Sequence, residues 1–165
     1  MKKVADIMTR SVESVAPETP IREAAEKMKT RNIGSLPVCE SNRLVGTLTD
    51  RDVTIRVTAE GRDPAKTKVG DVMSKEIVTC MPDQDLSEAE QLMHDHQVRR
   101  LPVVDENRAL VGYLAMAKLA QSEQDEKITG RVIKGISETK KPAPRKIATT
   151  GSRTGKGSTW EGMEP

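Results

Sequence analysis

Few residues of this chain have the type and spacing to do chemistry, and the most telling are Thr49 and Asp52. They follow the apolar run Leu44-Val45-Gly46-Thr47-Leu48, which reads as a strand running into a helix. Thr49 or Asp50 can cap that helix, because a short side-chain oxygen accepts from the free N–H groups of a first turn. Thr49 and Asp52 stand three apart at the helix N-terminus and both offer oxygens. A carboxylate there repels phosphate but can take two hydroxyls of a sugar. The plain alternative is a capped helix with a solvated acidic first turn. Other reactive side chains form no set. His94 and His96 stand two apart on an expected helix, hence on different faces, and read as solvent-facing. Cys39 and Cys80 each follow an apolar run and read as buried free thiols, not as a disulfide framework or metal ligands. No nucleophile motif accompanies the histidines and no phosphate-cradling glycine loop is present. These absences argue against an enzyme.

The elements that must position Thr49 and Asp52 come as a repeat. Val4-Ala5-Asp6-Ile7-Met8 returns 65 residues later as Val69-Gly70-Asp71-Val72-Met73, and Leu36-Pro37-Val38 returns as Leu101-Pro102-Val103. One extra residue near Ala109 then makes the offset 66, and Leu44-Val45-Gly46 falls on Leu110-Val111-Gly112. Each copy has one plan. A turn of helix ends at Met8 or Met73, and a short strand follows at 12–15 or 77–80. An amphipathic helix comes next, with Ile21, Ala24, Ala25 and Met28 on one face in copy one and Leu86, Ala89 and Met93 in copy two. Thr19 is the expected cap of the first of these helices, with Pro20 at its first position, and Asp85 with Glu88 resembles a capping box in the second. Strand pairs at 35–39 with 44–48 and 100–104 with 110–114 follow, and last helices start near Asp50 and Met116. Residues 62–67 link the copies. Strand–helix–strand–strand–helix, twice, implies an α/β domain whose two small sheets pack with pseudo-twofold symmetry. One unit alone is too small to bury a good core, so the pair is the folding unit.

The apolar share of 35% is low for 165 residues and suggests a part that does not fold. The net charge of +2 is uneven: residues 140–165 hold six basic and two acidic side chains, leaving the rest slightly negative. Ile128, Val132, Ile133 and Ile136 could form one marginal helix, and the sequence after Lys140 reads as a disordered basic tail. Tyr113 and Trp160 are the only aromatic residues, so base stacking has few platforms and nucleic-acid binding is disfavoured. No run is apolar enough to cross a bilayer, and the first residues lack the apolar core of a signal peptide, so a cytoplasmic location is expected.

The repeated unit resembles the cystathionine β-synthase (CBS) domain, and two in tandem resemble a Bateman module. Asp6-Ile7-Met8, Asn32-Ile33-Gly34-Ser35-Leu36-Pro37-Val38 and Gly46-Thr47-Leu48-Thr49-Asp50-Arg51-Asp52 carry the match in copy one. Asp71-Val72-Met73, Gln97-Val98-Arg99-Arg100-Leu101-Pro102-Val103 and Leu110-Val111-Gly112 carry it in copy two. The resemblance is to stand-alone bacterial CBS pairs. It implies an α/β (α+β) fold of two β-α-β-β-α repeats, with CBS domains at 1–64 and 65–121 and a flexible tail at 122–165. It further implies a non-catalytic sensor, with no required cofactor, that binds AMP, ADP, ATP or S-adenosylmethionine in the cleft between repeats. On that reading Thr49 and Asp52 hold the ribose with Thr47 nearby. Ile77, Val78 and Thr79 form the adenine slot, and Arg99 and Arg100, just before the Leu101-Pro102-Val103 strand, meet the phosphates with Pro102 alongside. A homodimer and a regulated protein that the sequence does not name are the implied partners. The alternative is an interaction module whose cleft holds nothing. The symmetry-related cleft departs from the pattern: Ala115 and Lys118 replace Thr49 and Asp52, and Gly34 and Ser35 replace Arg99 and Arg100. At most one good nucleotide site per chain is expected.

Overall fold

A computed structural model describes residues 2–122 of the chain. The expected marginal helix and basic tail lie outside the described residues. Each repeat holds a short helix, a long helix, an antiparallel hairpin and a last helix. In the first repeat these are α1 (Val4–Ile7), α2 (Ile21–Arg31), β1 (Ser35–Glu40), β2 (Arg43–Thr49) and α3 (Asp50–Val53), and α3 runs on into a π-helical turn (Thr54–Thr58). In the second they are α4 (Val69–Val72), α5 (Leu86–His96), β3 (Arg100–Val104), β4 (Leu110–Ala115) and α6 (Met116–Ser122).

The long helices bury the faces that their periodicity marks. Ile21, Ala24 and Met28 of α2 are buried with Leu36, Val38 and Leu48 of the first hairpin. Leu86, Ala89 and Met93 of α5 are buried with Leu101, Val103 and Leu114 of the second. Each large side chain taken fully out of water contributes about 1.5–3 kcal/mol. Both helices end on a left-handed residue, Asn32 (φ 52°) and Gln97 (φ 53°), which turns the chain into the hairpin. The hairpin turns differ. Ser41 and Asn42 both have positive φ and close a two-residue turn. In the longer second loop the Asp105 carboxylate accepts from the N–H groups of Asn107 (2.9 Å) and Ala109 (2.8 Å).

The start of α2 differs from expectation. Thr19 does not cap the helix; its hydroxyl oxygen accepts from Ala16 N, 3.2 Å away, and closes a turn before it. Pro20 takes the cap position, and the linker supplies the partners: Ile21 N donates to Thr67 O (2.9 Å) and Arg22 N to Pro64 O (3.0 Å). In α5 the expected reach-back is present, with Asp85 N donating to Glu88 Oε2 at 3.2 Å.

The expected strands at 12–15 and 77–80 are not continuous. They are crossing segments that touch one hairpin at each end. Thr9 pairs with Tyr113 of the second hairpin and Val15 with Val38 of the first. Ser74 pairs with Thr47 of the first and Cys80 with Val103 of the second. Each repeat therefore lends its leading segment to the other's sheet. Met8 and Met73, at the starts of these segments, lie against Gly112 and Gly46. A Cβ on either glycine would stand 2.5 Å from the methionine sulfur and 3.1–3.2 Å from a main-chain oxygen, so a larger residue at either position must push its neighbour aside. The hairpins also meet at their tips, where Arg43 pairs with Ala109. Every one of these contacts has its mate at the repeat offset, and the Arg43–Ala109 pair falls on the pseudo-twofold axis.

Candidate functional site

Two strand-to-helix junctions are related by this axis, β2–α3 and β4–α6, the places where the resemblance puts the two clefts. The junctions share a backbone design: Asp50 N donates to Gly34 O (3.0 Å), and Met116 N to Arg99 O (2.9 Å). Their side chains differ. At the first, Thr49 caps α3 and Asp52 answers it. Asp52 N donates to Thr49 Oγ1 (3.1 Å), while Thr49 N (3.0 Å) and Thr49 Oγ1 (2.9 Å) both donate to Asp52 Oδ2. This reciprocal box fixes the carboxylate. It also fills Oδ2 and leaves Oδ1, whose neighbour is Arg56 Nη2 at 3.6 Å. Asp52 is half-buried. At the second junction Ala115 and Lys118 form no such box, and Lys118 is exposed.

The structure brings several of the expected site residues together. Thr47 and Thr49 lie two apart on β2, on the face opposite the buried Leu48. Thr47 exchanges both backbone hydrogen bonds with Ser74, at 2.9 Å each. Ile77, Val78 and Thr79, all half-buried, follow on the same crossing segment. Val78 packs against the core of the second repeat. Arg100 reaches the first repeat, where its Nη1 donates to Ser35 Oγ at 3.0 Å, and Ser35 is the cross-strand partner of Thr49. Arg99 is exposed, and its carbonyl serves the β4–α6 junction. Pro102 is buried in β3, where its carbonyl accepts from Cys80 N at 3.1 Å.

Two features have weak signals in the sequence. Tyr113 occupies in the second hairpin the place of Thr47 in the first. Its hydroxyl lies 3.2 Å from Ser35 Oγ, so Arg100, Ser35 and Tyr113 form one polar chain between the sheets. The repeat alignment could have found it as the one aromatic substitution at a site position. Arg56, the neighbour of Asp52, is four residues beyond it, a spacing that signals an ion pair on any helix. Burial disfavours the thiolate form of both cysteines. Burial pushes Cys80 up to about 12 and raises Cys39 above the usual thiol range. His94 and His96 are exposed, and among the described residues no three His, Cys, Asp or Glu side chains are grouped to hold a metal.

The CBS domain model matches residues 4–58 and 69–122, one match for each structural repeat. The chain belongs to the CBS domain family. It is similar to the CBS domain-containing protein YhcV of Bacillus subtilis, at 46% identity over 137 residues, covering 83% of this chain and 96% of that one. It is also similar to hypoxic response protein 1 of Mycobacterium tuberculosis, at 37% identity over 122 residues, covering 73% and 85%. The crystal structure of that response protein, described with two coordinated zinc ions, superposes with a TM-score of 0.68 over 74% of this chain and 100% of the other. The CBS pair of protein MJ0100, solved with 5-methylthioadenosine and S-adenosyl-L-methionine, shares the fold with a TM-score of 0.65 at 24% identity, over 73% of this chain and 94% of that one. The tandem CBS architecture read from the repeat is therefore this chain's architecture.

Proposed function

We propose that this CBS pair is a non-catalytic regulatory module that binds an adenine nucleotide or related adenosine compound in one of its two clefts, the one beside Thr47, Thr49 and Asp52. The difference between pseudo-equivalent junctions carries the reading. Ala115 and Lys118 make the second strand-to-helix junction without a threonine or a carboxylate, so the fold does not require Thr49 and Asp52. A half-buried carboxylate with Oδ1 open to a donor suits a ribose hydroxyl. Ile77 and Thr79 offer the flat side of a purine an apolar, β-branched surface, and the Arg100 guanidinium suits phosphate oxygens. That a protein of the same fold, MJ0100, holds adenosine compounds supports the ligand class. The ligand acts as a regulator to the extent that it favours one arrangement of the repeats over another. Micromolar affinity, about −8 kcal/mol, is enough to follow cellular nucleotide levels. A thermal-shift series with AMP, ADP, ATP and S-adenosylmethionine tests this. At least one raises the melting temperature of the wild type and fails to do so with Asp52→Asn.

The second reading is an interaction module without a ligand, including a homodimer. Ile55, on the π-helical turn beside α3, favours it: this large apolar side chain is 46% exposed. No shift with any compound, together with a dimer in sedimentation that Ile55→Lys dissolves, would support this reading over the first.

A further inference from the structure

Arg56 touches both repeats. It lies on the π-helical turn one helical turn beyond Asp52, a kind of irregularity often found at functional sites. Its Nη2 stands 3.6 Å from Asp52 Oδ1, and its Nη1 donates to the carbonyl of Val72. Val72 is the last residue of α4, where a helix leaves carbonyls unpaired and positive charge is favoured. The next two residues are the ones that press on the first hairpin: Met73 on Gly46, and Ser74 on Thr47. The side chains of Arg56 and Asp52 are only 29% and 14% exposed, which sets this pair apart from the freely solvated pairs that contribute little. The second repeat has no counterpart. Positions 118 and 122 hold Lys and Ser, and the arginine near α1, Arg10, donates its Nη2 to Ala5 O (3.1 Å) rather than to Ile7 O, the equivalent of Val72.

We infer that Arg56 is a positioning residue that couples the Asp52 carboxylate to the seam between the repeats. Thr49 occupies Oδ2, so Oδ1 is the oxygen a ligand hydroxyl reaches, and Arg56 is what orients it. The same guanidinium anchors the end of α4, and with it the Thr47–Ser74 contact that walls the cleft. Ligand held at Asp52 therefore tightens the seam, and a loosened seam weakens the ligand, by reciprocal linkage. The role of the ligand rests on the nucleotide reading; the link from Asp52 through Arg56 to Val72 does not.

Amide hydrogen exchange on the full chain tests it. Arg56→Met and Asp52→Asn should each speed exchange of the Thr47 and Ser74 amides about tenfold, and the double variant should exchange no faster than either single one. The Thr9 and Tyr113 amides, which exchange hydrogen bonds at the symmetry-related seam, should not change. Arg56→Lys should recover part of the protection, because a point charge can meet Asp52 or Val72 but cannot fork to both. Unchanged exchange at Thr47 and Ser74, additive effects, or equal acceleration at Thr9 and Tyr113 would overturn the inference. AMP should slow the two seam amides in the wild type and not in Arg56→Met, and equal slowing in both would also overturn it. Absence of binding to the wild type by any of AMP, ADP, ATP and S-adenosylmethionine would refute the nucleotide reading and leave the ligand-free comparison to decide the role of Arg56.

Discussion

The two clefts share one scaffold and differ in the side chains placed on it. Val15 on Val38 is matched by Cys80 on Val103, Thr9 on Tyr113 by Ser74 on Thr47, and Met8 on Gly112 by Met73 on Gly46. Beside the first junction stand Thr47, Thr49, Asp52 and Arg56; the equivalent positions of the second repeat hold Tyr113, Ala115, Lys118 and Ser in the sequence. Packing thus has two equal halves while polar chemistry has one. The contacts that make the fold are apolar and backbone-mediated and tolerate either set of junction residues. The Thr49–Asp52–Arg56 set is assembled at the first junction only, while the Arg100–Ser35–Tyr113 chain spans the two sheets.

The equality of the two halves is tested most forcefully in the cores. Leu48→Ala and Leu114→Ala remove pseudo-equivalent, fully buried side chains and should each cost about 2–5 kcal/mol in denaturant unfolding. Similar losses fit one cooperative unit with matched halves; a loss confined to one variant would show the halves to be unequal. Gly46→Val and Gly112→Val drive a side chain onto a methionine and a main-chain oxygen and should each cost about 1–3 kcal/mol by the same measurement. At the junctions the symmetry should fail. Thr49→Ala deletes the cap of α3 and should cost about 1 kcal/mol, whereas Ala115→Thr should move stability by less than about half of that, because Lys118 offers no reciprocal acceptor.

A pH-dependent effect concerns the thiols. Burial holds Cys80 neutral up to about 12, while an unfolded thiol ionises near 8.5 (a generic value). Its contribution is therefore fully present below that unfolded pKa, and it declines as pH rises toward 12. Unfolding curves from pH 8 to 10.5 should show this decline in the wild type and less of it in Cys80→Ala. Cys39, only partly buried, should react with an alkylating reagent first at every pH in that range.

The repeat made most of the fold legible, because the same apolar periodicities appear twice and each copy checks the other. Helix faces, strand pairs and the Asp85–Glu88 box follow from local spacing. What spacing could not convey was where the crossing segments go. Residues 12–15 and 77–80 read as strands of their own repeats, yet the segments that hold them begin, at Thr9 and Ser74, on the opposite hairpin, a choice made by tertiary packing of Met8 and Met73 on glycine. Thr19 misled for a related reason: the linker carbonyls of Pro64 and Thr67 reach the α2 N-terminus and leave its hydroxyl to a turn. At the site, Thr49 and Asp52 were visible as a capping pair. The Arg100–Ser35–Tyr113 chain and the Arg56–Val72 contact were not, because both join residues from different repeats.

The central claim is that chemistry resides in one cleft, and calorimetric titration of AMP into the full chain, its Asp52→Asn variant and its Lys118→Ala variant tests it most directly. The account predicts one AMP per wild-type chain. It predicts the same stoichiometry and affinity in Lys118→Ala, and at least a tenfold weaker affinity in Asp52→Asn, as expected for losing a charged hydrogen-bond acceptor worth about 1.5–3 kcal/mol. Two AMP per chain, or equal affinity in the wild type and Asp52→Asn, would contradict it.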